Sequence, residues 1–441
     1  SVLDDSNHTP IIVEEFLNSE SFGDSLSSAQ TPETNDVWFE AYNDPRLNQI
    51  VEQAQNNNLD IEVALGSLDI ASAQLAAQQT SLLPVLDGFL SSRVDLISTG
   101  SDNLSAGLNG GLSGSFDPDI AGANRARIDA FARRLDQAGL DREDVDRLIV
   151  LAVVLDYIDL RRAEARLALL DETLALQEQT LRIVTARFNV GLSAALDVDR
   201  AAADLASSRS QRGLLEADQK QASYTLDVLL GEQPGTTDFS SLSSAQVPIY
   251  SGRPDLGVPA NLLRNRPDVK AAEAALLAEL GLVRAERADL MPSLTLPGTL
   301  TAFGGDGRDS LSSSLTALLD IPWLDFGRRQ AEVEEQRARA RAAHAQYMAL
   351  VLNAHREVEI ALSNIIAQRA RLEELGEAGA RSQSAYNQLE ALYREGLAEF
   401  IDILDSQRTL IQIREQIVET EANLASAMAQ LSASLALKTS S

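Results

Sequence analysis

The chain has 441 residues, and 44% of them are apolar, which is typical of a folded protein rather than a disordered one. It carries 65 acidic and 37 basic residues, and the net charge of −28 argues against a nucleic-acid-binding protein, because such a protein needs a basic surface. Cysteine is absent, which excludes disulfides, thiolate metal sites and cysteine nucleophiles within this chain.

The first part of the chain predicts a lead-in followed by helix. Residues 1–36 are rich in Ser, Asn, Asp, Glu and Thr without regular periodicity, so we interpret them as an extended N-terminal lead-in. Order begins near Trp38, which we expect to be packed. From residue 46 to residue 82 apolar residues recur at helical spacing, and Pro84 ends the predicted helix.

The pattern after Pro84 changes to the period of a strand. Leucines and other apolar residues alternate with Ser, Asn and Asp over 86–96 and 104–116, and the same alternation returns over 294–303 and 311–323. The sequence therefore predicts four strands with one apolar and one polar face, within about 84–119 and about 292–325. Trp323 ends the last alternation, where an interfacial anchor in a membrane would lie.

Two very long helices follow the two strand pairs. Residues 122–188 and 327–393 contain no proline and are rich in Ala, Leu, Arg, Glu and Gln. A helix of about 67 residues is a rod of roughly 100 Å, far longer than a compact domain. A glycine turn and a second helix follow each, over about 195–230 and 400–435.

The sequence contains an internal repeat. Gly396 lies 205 residues after Gly191, and the segments "RFNVGLSAALDVDR" and "YREGLAEFIDILDS" around these glycines share one design. The predicted organisation is a lead-in (1–36), a first repeat (37–231), an inter-repeat linker (232–258), a second repeat (259–437) and a tail (438–441).

Several function classes can be compared on these features. Strands of about ten residues with one apolar face fit a transmembrane barrel, although a soluble sandwich gives the same alternation. Four strands cannot close a barrel, so other copies of the chain would have to complete it. An enzyme is disfavoured because phosphate-loop, HExxH and nucleophile-elbow motifs are missing, and His344 and His355 lack a third ligand for a metal. A soluble acidic coiled-coil scaffold remains the alternative.

Five motifs in order identify a resemblance. They are "WFEAYNDPRLNQIVEQAQNNNLDI", "LLRNRPDVKAAEAAL", "DLMPSLTL", "DIPWLDFGRRQAEVE" and "YREGLAEFIDILDSQRTL". With them the chain resembles the TolC-like outer membrane factors, and most closely the OprM-like (NodT-type) efflux lipoproteins. The resemblance covers about residues 37 to 437.

The resemblance implies a fold and a function. It implies a mixed α and β membrane protein, in which each chain of a homotrimer contributes four strands to a twelve-stranded β-barrel, continued by a long α-helical barrel. The expected location is the outer membrane of a Gram-negative bacterium, extending into the periplasm. The expected function is the passive exit duct of a tripartite efflux pump for drugs or metals, with a periplasmic adaptor, an inner-membrane pump and outer membrane lipid as partners. No cofactor is expected, and a lipid anchor would need a Cys outside this chain.

The resemblance also assigns roles at the second glycine turn. Ile401 matches the apolar residue and Asp405 the aspartate of a periplasmic gate, and Asp402 replaces a neutral polar residue beside them. The alternative is that both acids only favour the positive end of a helix dipole, which would leave Phe400 and Ile401 at an exposed tip unexplained.

The first turn departs from that pattern. Arg200 aligns with Asp405, so Asp197, Asp199 and Arg200 are candidates for locking the gate by pairing with a neighbouring hairpin, while a solvated Arg200 is the alternative. The adaptor-docking tips implied by the family comprise Arg187, Phe188, Gly191, Leu192, Tyr393, Gly396 and Leu397.

Overall fold

The structure is a computed structural model that describes residue 17 and residues 37–97, 103–239, 246–252, 264–304, 309–323, 325–437 and 439. A short 3-10 helix, Trp38–Tyr42, precedes the α-helices. They are α1 (Pro45–Asn57), α2 (Leu59–Gln79), α3 (Ala123–Asn189), α4 (Ala195–Leu229), α5 (Pro267–Ala288), α6 (Arg328–Glu395) and α7 (Phe400–Ser434). With 67 and 68 residues, α3 and α6 confirm the predicted long helices.

The strands form an antiparallel sheet in sequence order. They are β1 (Val85–Ile97), β2 (Asn103–Phe116), β3 (Ser293–Gly304), β4 (Ser310–Leu315) and β5 (Leu318–Asp320). β2 pairs with β1 and β3, and β3 also pairs with β4 and β5. The two predicted strand pairs are therefore confirmed, and the two pairs join into one sheet.

The fourth strand corrects the prediction of one continuous element over 311–323. It is broken at residues 316 and 317, between β4 and β5. The partner position on β3 is Pro297, which has no N–H to donate to the ladder, and only its carbonyl accepts, from Thr316 N at 2.9 Å. Trp323 lies after β5 and is 91% exposed, so its role as an anchor stays a prediction.

The two faces of the sheet differ in polarity as expected. The register places one set of leucines on the same face, and they are between 42% and 82% exposed: Leu86, Leu90, Leu108, Leu112, Leu300, Leu311 and Leu315. The opposite face is largely polar, and Thr299 Oγ1 lies 2.7 Å from Ser314 Oγ across β3 and β4. A row of exposed leucines this long needs an apolar surrounding.

The chain divides into two compact units. One comprises residues 1–63, 143–267 and 351–441, and the other comprises residues 64–142 and 268–350. Each unit draws on both halves of the sequence repeat. The predicted boundaries of the repeats stay a prediction. The lead-in except Leu17, much of the linker and all of the tail except residue 439 lie outside the described residues.

The first unit has a continuous apolar core around the start of α1. Trp38 is 3% exposed, which confirms that it is packed. Asp44 caps α1, accepting hydrogen bonds from the backbone N of Arg46 (2.9 Å) and Leu47 (3.4 Å), with Pro45 as the first helical residue. Its second oxygen accepts from the hydroxyl of the buried Tyr157 at 2.6 Å, which ties the cap to α3.

Two buried arginines satisfy the end of α7. Arg147 Nη1 donates to the carbonyl of Ala433 at 3.0 Å, and Arg266 Nη1 donates to the carbonyl of Ser434 at 3.1 Å. The last carbonyls of a helix have no partner within it, and cations there also favour the helix dipole. Among the described residues, no helix holds a stretch long and apolar enough to span a bilayer.

Candidate functional site

The two glycine turns of the repeat adopt the same conformation. Gly191 has φ +78° and Gly396 has φ +80°, which glycine adopts at little cost. In the first turn Leu192 N donates to Arg187 O at 2.8 Å, and in the second Leu397 N donates to Leu392 O at 2.8 Å. In both hairpins the long helix therefore ends in a Schellman motif. The same backbone hydrogen bonds occur in the two turns, at positions 205 residues apart.

The helix after each turn begins in the same way. Asp197 accepts from the backbone N of Ala194 at 3.4 Å, and Asp402 accepts from the backbone N of Glu399 at 3.3 Å. Both acids occupy the third helical position, where a carboxylate binds free N–H groups and favours the dipole. Helix-start chemistry is therefore sufficient to account for Asp197 and Asp402.

Asp405 differs from Asp402. It lies in the second turn of α7, its side chain is exposed, and its aligned residue in the first hairpin is the exposed Arg200. The N-terminal N–H groups of a helix lie within the first turn, so capping does not explain an acid at this position. Asp199 is exposed as well. The gate role of Ile401, Asp402 and Asp405 and the locking role of Asp197, Asp199 and Arg200 stay predictions.

An apolar cluster lies beneath the second turn. Phe400 is 3% exposed and its ring centroid is 6.1 Å from that of Tyr393, while Ile403 and Leu404 are buried in the same cluster. The expectation that Phe400 lies at an exposed tip is therefore wrong, because the first turn of α7 faces inward at this residue. Ile401 is partly buried and packs against the cluster.

Arg187 joins the two hairpins. Its guanidinium donates through Nη1 to Tyr393 O at 2.7 Å, and its Cζ lies 4.6 Å from the centre of the Tyr393 ring. At the hydroxyl end of the same ring, Ser193 Oγ lies 3.5 Å from the Tyr393 hydroxyl, and it donates a hydrogen bond to Asp197 at 3.0 Å. This contact was not predicted from the sequence, although the repeat places Arg187 and Leu392 at equivalent positions, so that only the first hairpin has an arginine at this position.

A second set of contacts between the helices lies two to three turns further from the tip. Asp204 of α4 accepts from Arg408 Nε of α7 at 3.0 Å and from Gln177 Nε2 of α3 at 2.9 Å. Gln407, next to Arg408, is completely buried, and its Oε1 lies 3.5 Å from Thr180 Oγ1. These polar contacts fix the register of the three helices below the tip, and neither was predicted from the sequence.

The residues predicted to dock an adaptor divide by exposure. Phe188 (43%), Leu192 (65%) and Leu397 (74%) present apolar surface next to the glycines. Tyr393 is only 4% exposed and Arg187 is held against it, so these two shape the tip from inside. The adaptor-docking assignment itself stays a prediction.

The described residues hold no cluster of three or more His, Cys, Asp or Glu suited to a metal ion. His355 Nε2 lies 3.9 Å from Glu359 of the same helix. The absence of a cofactor stays a prediction.

Comparison with known proteins identifies relatives along nearly the whole chain. The profile of the family described as "Outer membrane efflux protein" matches residues 50–232 and 258–437. The pyoverdine export outer membrane protein OpmQ of Pseudomonas putida is 29% identical over 418 residues, which are 91% of this chain and 86% of the relative. Nodulation protein T of Rhizobium leguminosarum bv. trifolii is 26% identical over 392 residues, which are 85% of this chain and 82% of that protein.

A solved structure agrees with the fold. The structure of the outer-membrane channel OprN superposes with a TM-score of 0.89 at 26% identity and covers 98% of each chain. The family match and this superposition confirm the resemblance inferred from the five motifs, together with the mixed α and β fold class.

Proposed function

Because the chain belongs to the outer membrane efflux protein family, we propose that it is the exit duct of a tripartite efflux pump, a passive homotrimeric channel in the outer membrane. It carries small molecules or ions from a periplasmic pump to the outside. Its partners are a periplasmic adaptor, an inner-membrane pump and outer membrane lipid.

The proposal is supported by two properties of the sheet, its exposed apolar face and its two unpaired edges. Its apolar face holds the exposed leucines, its other face is polar, and its strands run in the order β1, β2, β3, β4, so that β1 and β4 are the two edges of that path. In lipid an unpaired edge leaves backbone groups unsatisfied at several kcal/mol each. Pairing of β1 with β4 and β5 of the next copy removes both edges, and three copies give the twelve strands that the family resemblance implies.

A soluble coiled-coil scaffold would explain the long helices and the acidic surface. It does not explain a sheet with one leucine-rich exposed face, since such a face would aggregate in water. The sheet therefore favours the membrane duct over the scaffold.

The gate belongs to this proposal. In a trimer each tip residue occurs three times around one axis, and three copies of Asp405 attract cations and repel one another. Apolar contacts at Ile401 and ties such as Arg200 to an acid of the neighbouring hairpin hold the tip closed. Engagement of the adaptor at Phe188, Leu192 and Leu397 opens it.

Single-channel recording in planar bilayers tests the gate. Asp405→Ala is expected to weaken cation preference and block by hexaamminecobalt, and the effect should fade at 1 M salt, where screening shortens the reach of the charges to about 3 Å. Glu216→Ala is the matched control, because it removes an exposed acid from α4 about six turns away from the first residue of that helix.

Removing the closing contacts gives the second test. Ile401→Gly together with Arg200→Ala is expected to raise the conductance of a single channel. If conductance and selectivity are the same in all of these variants as in the unaltered protein, the constriction lies elsewhere and the gate assignment is wrong.

A further inference from the structure

Within the second unit, segments of four helices lie side by side in the order of the strands. A Cβ placed on Gly139 of α3 would lie 4.0 Å from Cδ1 of Leu68 on α2. Arg134 Nη2 of α3 lies 3.5 Å from Glu279 Oε1 of α5, and Gln336 Nε2 of α6 donates to the Glu279 carbonyl at 3.4 Å. The row is therefore α2, α3, α5, α6, and α2 and α6 are its two end helices.

Each end helix has an inner and an outer stripe of residues spaced alternately by three and four, which is the spacing of a coiled-coil seam. The inner stripes include Leu68 and Gln336, which contact the row. Each outer stripe is displaced from the inner one by two residues, about 160° around the helix. The outer stripes comprise Leu59, Val63, Gly66, Ile70, Ala73 and Ala77 on α2 and Ala338, Ala342, Ala345, Ala349 and Leu352 on α6. All of these residues are exposed, the four large side chains by 60–68%.

The end helices are joined to the two edges of the sheet. α2 leads into β1 and α6 follows β5, so one end helix runs toward the sheet and the other away from it. In the proposed trimer β1 of one copy pairs with β4 and β5 of the next, which brings α2 of one copy beside α6 of the next. Two exposed stripes with coiled-coil spacing then face each other and are buried together.

The contacts along the row define equal levels on the two end helices. Gly139 is five residues beyond Arg134 on α3, and α6 runs in the same direction as α3. The level of Gly139 on α6 is therefore five residues beyond Gln336, at Arg341. On α2 the same level is marked by Leu68, which lies against Gly139.

Opposite charges lie beside the outer stripes at this level. Asp69 is one residue before Ile70, and Arg341 is one residue before Ala342, so each charge borders its outer stripe on the same side of its helix. When two antiparallel helices face each other, these equivalent sides lie together. Both side chains are exposed, and neither has an ion-pair or hydrogen-bond partner among the described residues.

We propose that the outer stripes of α2 and α6 form the contact between adjacent copies of the chain, with Asp69 of one copy paired with Arg341 of the next. The occupant of each exposed stripe is a second copy of this chain. The inference rests on the proposed function, which requires three copies, and it names the helix faces and the ion pair that join them.

Cysteine cross-linking tests this contact in the full chain, which has no cysteine of its own. Ala73 and Ala338 are outer-stripe residues at nearly the same level. The double variant Ala73→Cys/Ala338→Cys is therefore expected to form covalently linked trimers when it is oxidised with copper phenanthroline in detergent, and a reductant should separate them. Ser72→Cys/Ala338→Cys is the matched control, because Ser72 points about 100° around the helix from Ala73, and its chains should stay separate.

Reversal of the charges tests the ion pair. Asp69→Arg places two arginines together and should lower the temperature at which the trimer dissociates in detergent. The exchange Asp69→Arg with Arg341→Asp should restore that temperature, because the two charges are again opposite. An exchange that restores nothing would show that the two residues do not meet.

The outcomes separate the contact from the duct. If the unaltered protein and the reduced double variant are both trimers, and oxidation of Ala73→Cys/Ala338→Cys links no chains, the assigned helix faces are wrong and the duct stands. If the unaltered protein is a single chain that forms no channels, the proposed function is wrong and the contact falls with it.

Discussion

Replacing Leu108 by arginine places a charge on the leucine face of β2, and the cost follows from its position along the strand. Leu108 lies about 5 Å from the middle of β2 (Asn103–Phe116), or about 4 Å in depth for a strand tilted by roughly 40°. An arginine on the lipid face costs about 2–4 kcal/mol at the midplane and less towards the interface, so we expect about 2–3 kcal/mol per chain.

Three further substitutions calibrate the effect of Leu108→Arg. Leu296 shares the leucine face but lies about 8 Å from the middle of β3, so Leu296→Arg should cost less, about 1–2 kcal/mol. Ser91 lies at the middle of β1 on the polar face, so Ser91→Arg should change the free energy by less than about 0.5 kcal/mol. Ser113→Arg, on the same polar face of β2, should be similarly mild.

The measurement is a denaturant titration of the protein in lipid vesicles, in which circular dichroism follows the strand content. It gives the free energy of unfolding of each variant. Equal costs for Ser91→Arg and Leu108→Arg would contradict the assigned faces, because the two faces of the sheet would then meet the same surrounding.

Three more outcomes follow from contacts in the first unit. Arg147→Ala should lower the free energy of unfolding by about 3 kcal/mol, because it removes the buried ion pair with Asp144 and the hydrogen bond to the carbonyl of Ala433; Arg133→Ala, in an exposed pair, should cost less than about 1 kcal/mol in the same denaturant titration. Burial and the neighbouring Asp159 raise the pKa of Asp156 to about 6 from 3.8, so stability is lost as the pH rises through that window; Asp156→Asn should therefore stabilise the protein at pH 7.5, by on the order of 1 kcal/mol after screening, and hardly at pH 4, and equal effects at both would contradict the raised pKa. Arg187→Lys should speed amide exchange over residues 392–397, because lysine cannot both stack on Tyr393 and donate as the guanidinium does, while Arg394→Lys, in an exposed pair, should not.

The sequence predicted those features that depend on local pattern. Alternation set the strands and their faces, the proline-free composition set α3 and α6, and the repeated glycines set the two Schellman turns. The break in the fourth strand was not predicted, because its cause is Pro297 on the neighbouring strand and not a residue of the broken one. The five motifs identified the family, and membership of a transport family also confirms that the chain is not an enzyme.

The missed features depend on contacts between distant segments. Phe400 follows a glycine turn and was assigned to an exposed tip, yet it packs against Tyr393, which belongs to the preceding helix. The stacking of Arg187 on Tyr393 joins residues 206 positions apart.

The number of chains in the detergent-solubilised particle shows whether the barrel is completed by three copies. Native mass spectrometry should give a protein mass of three times the chain's 47.5 kDa, with the strand signal retained, because the edges at β1 and β4 are paired only between copies. A stable single chain that keeps its strand signal in detergent would contradict the account.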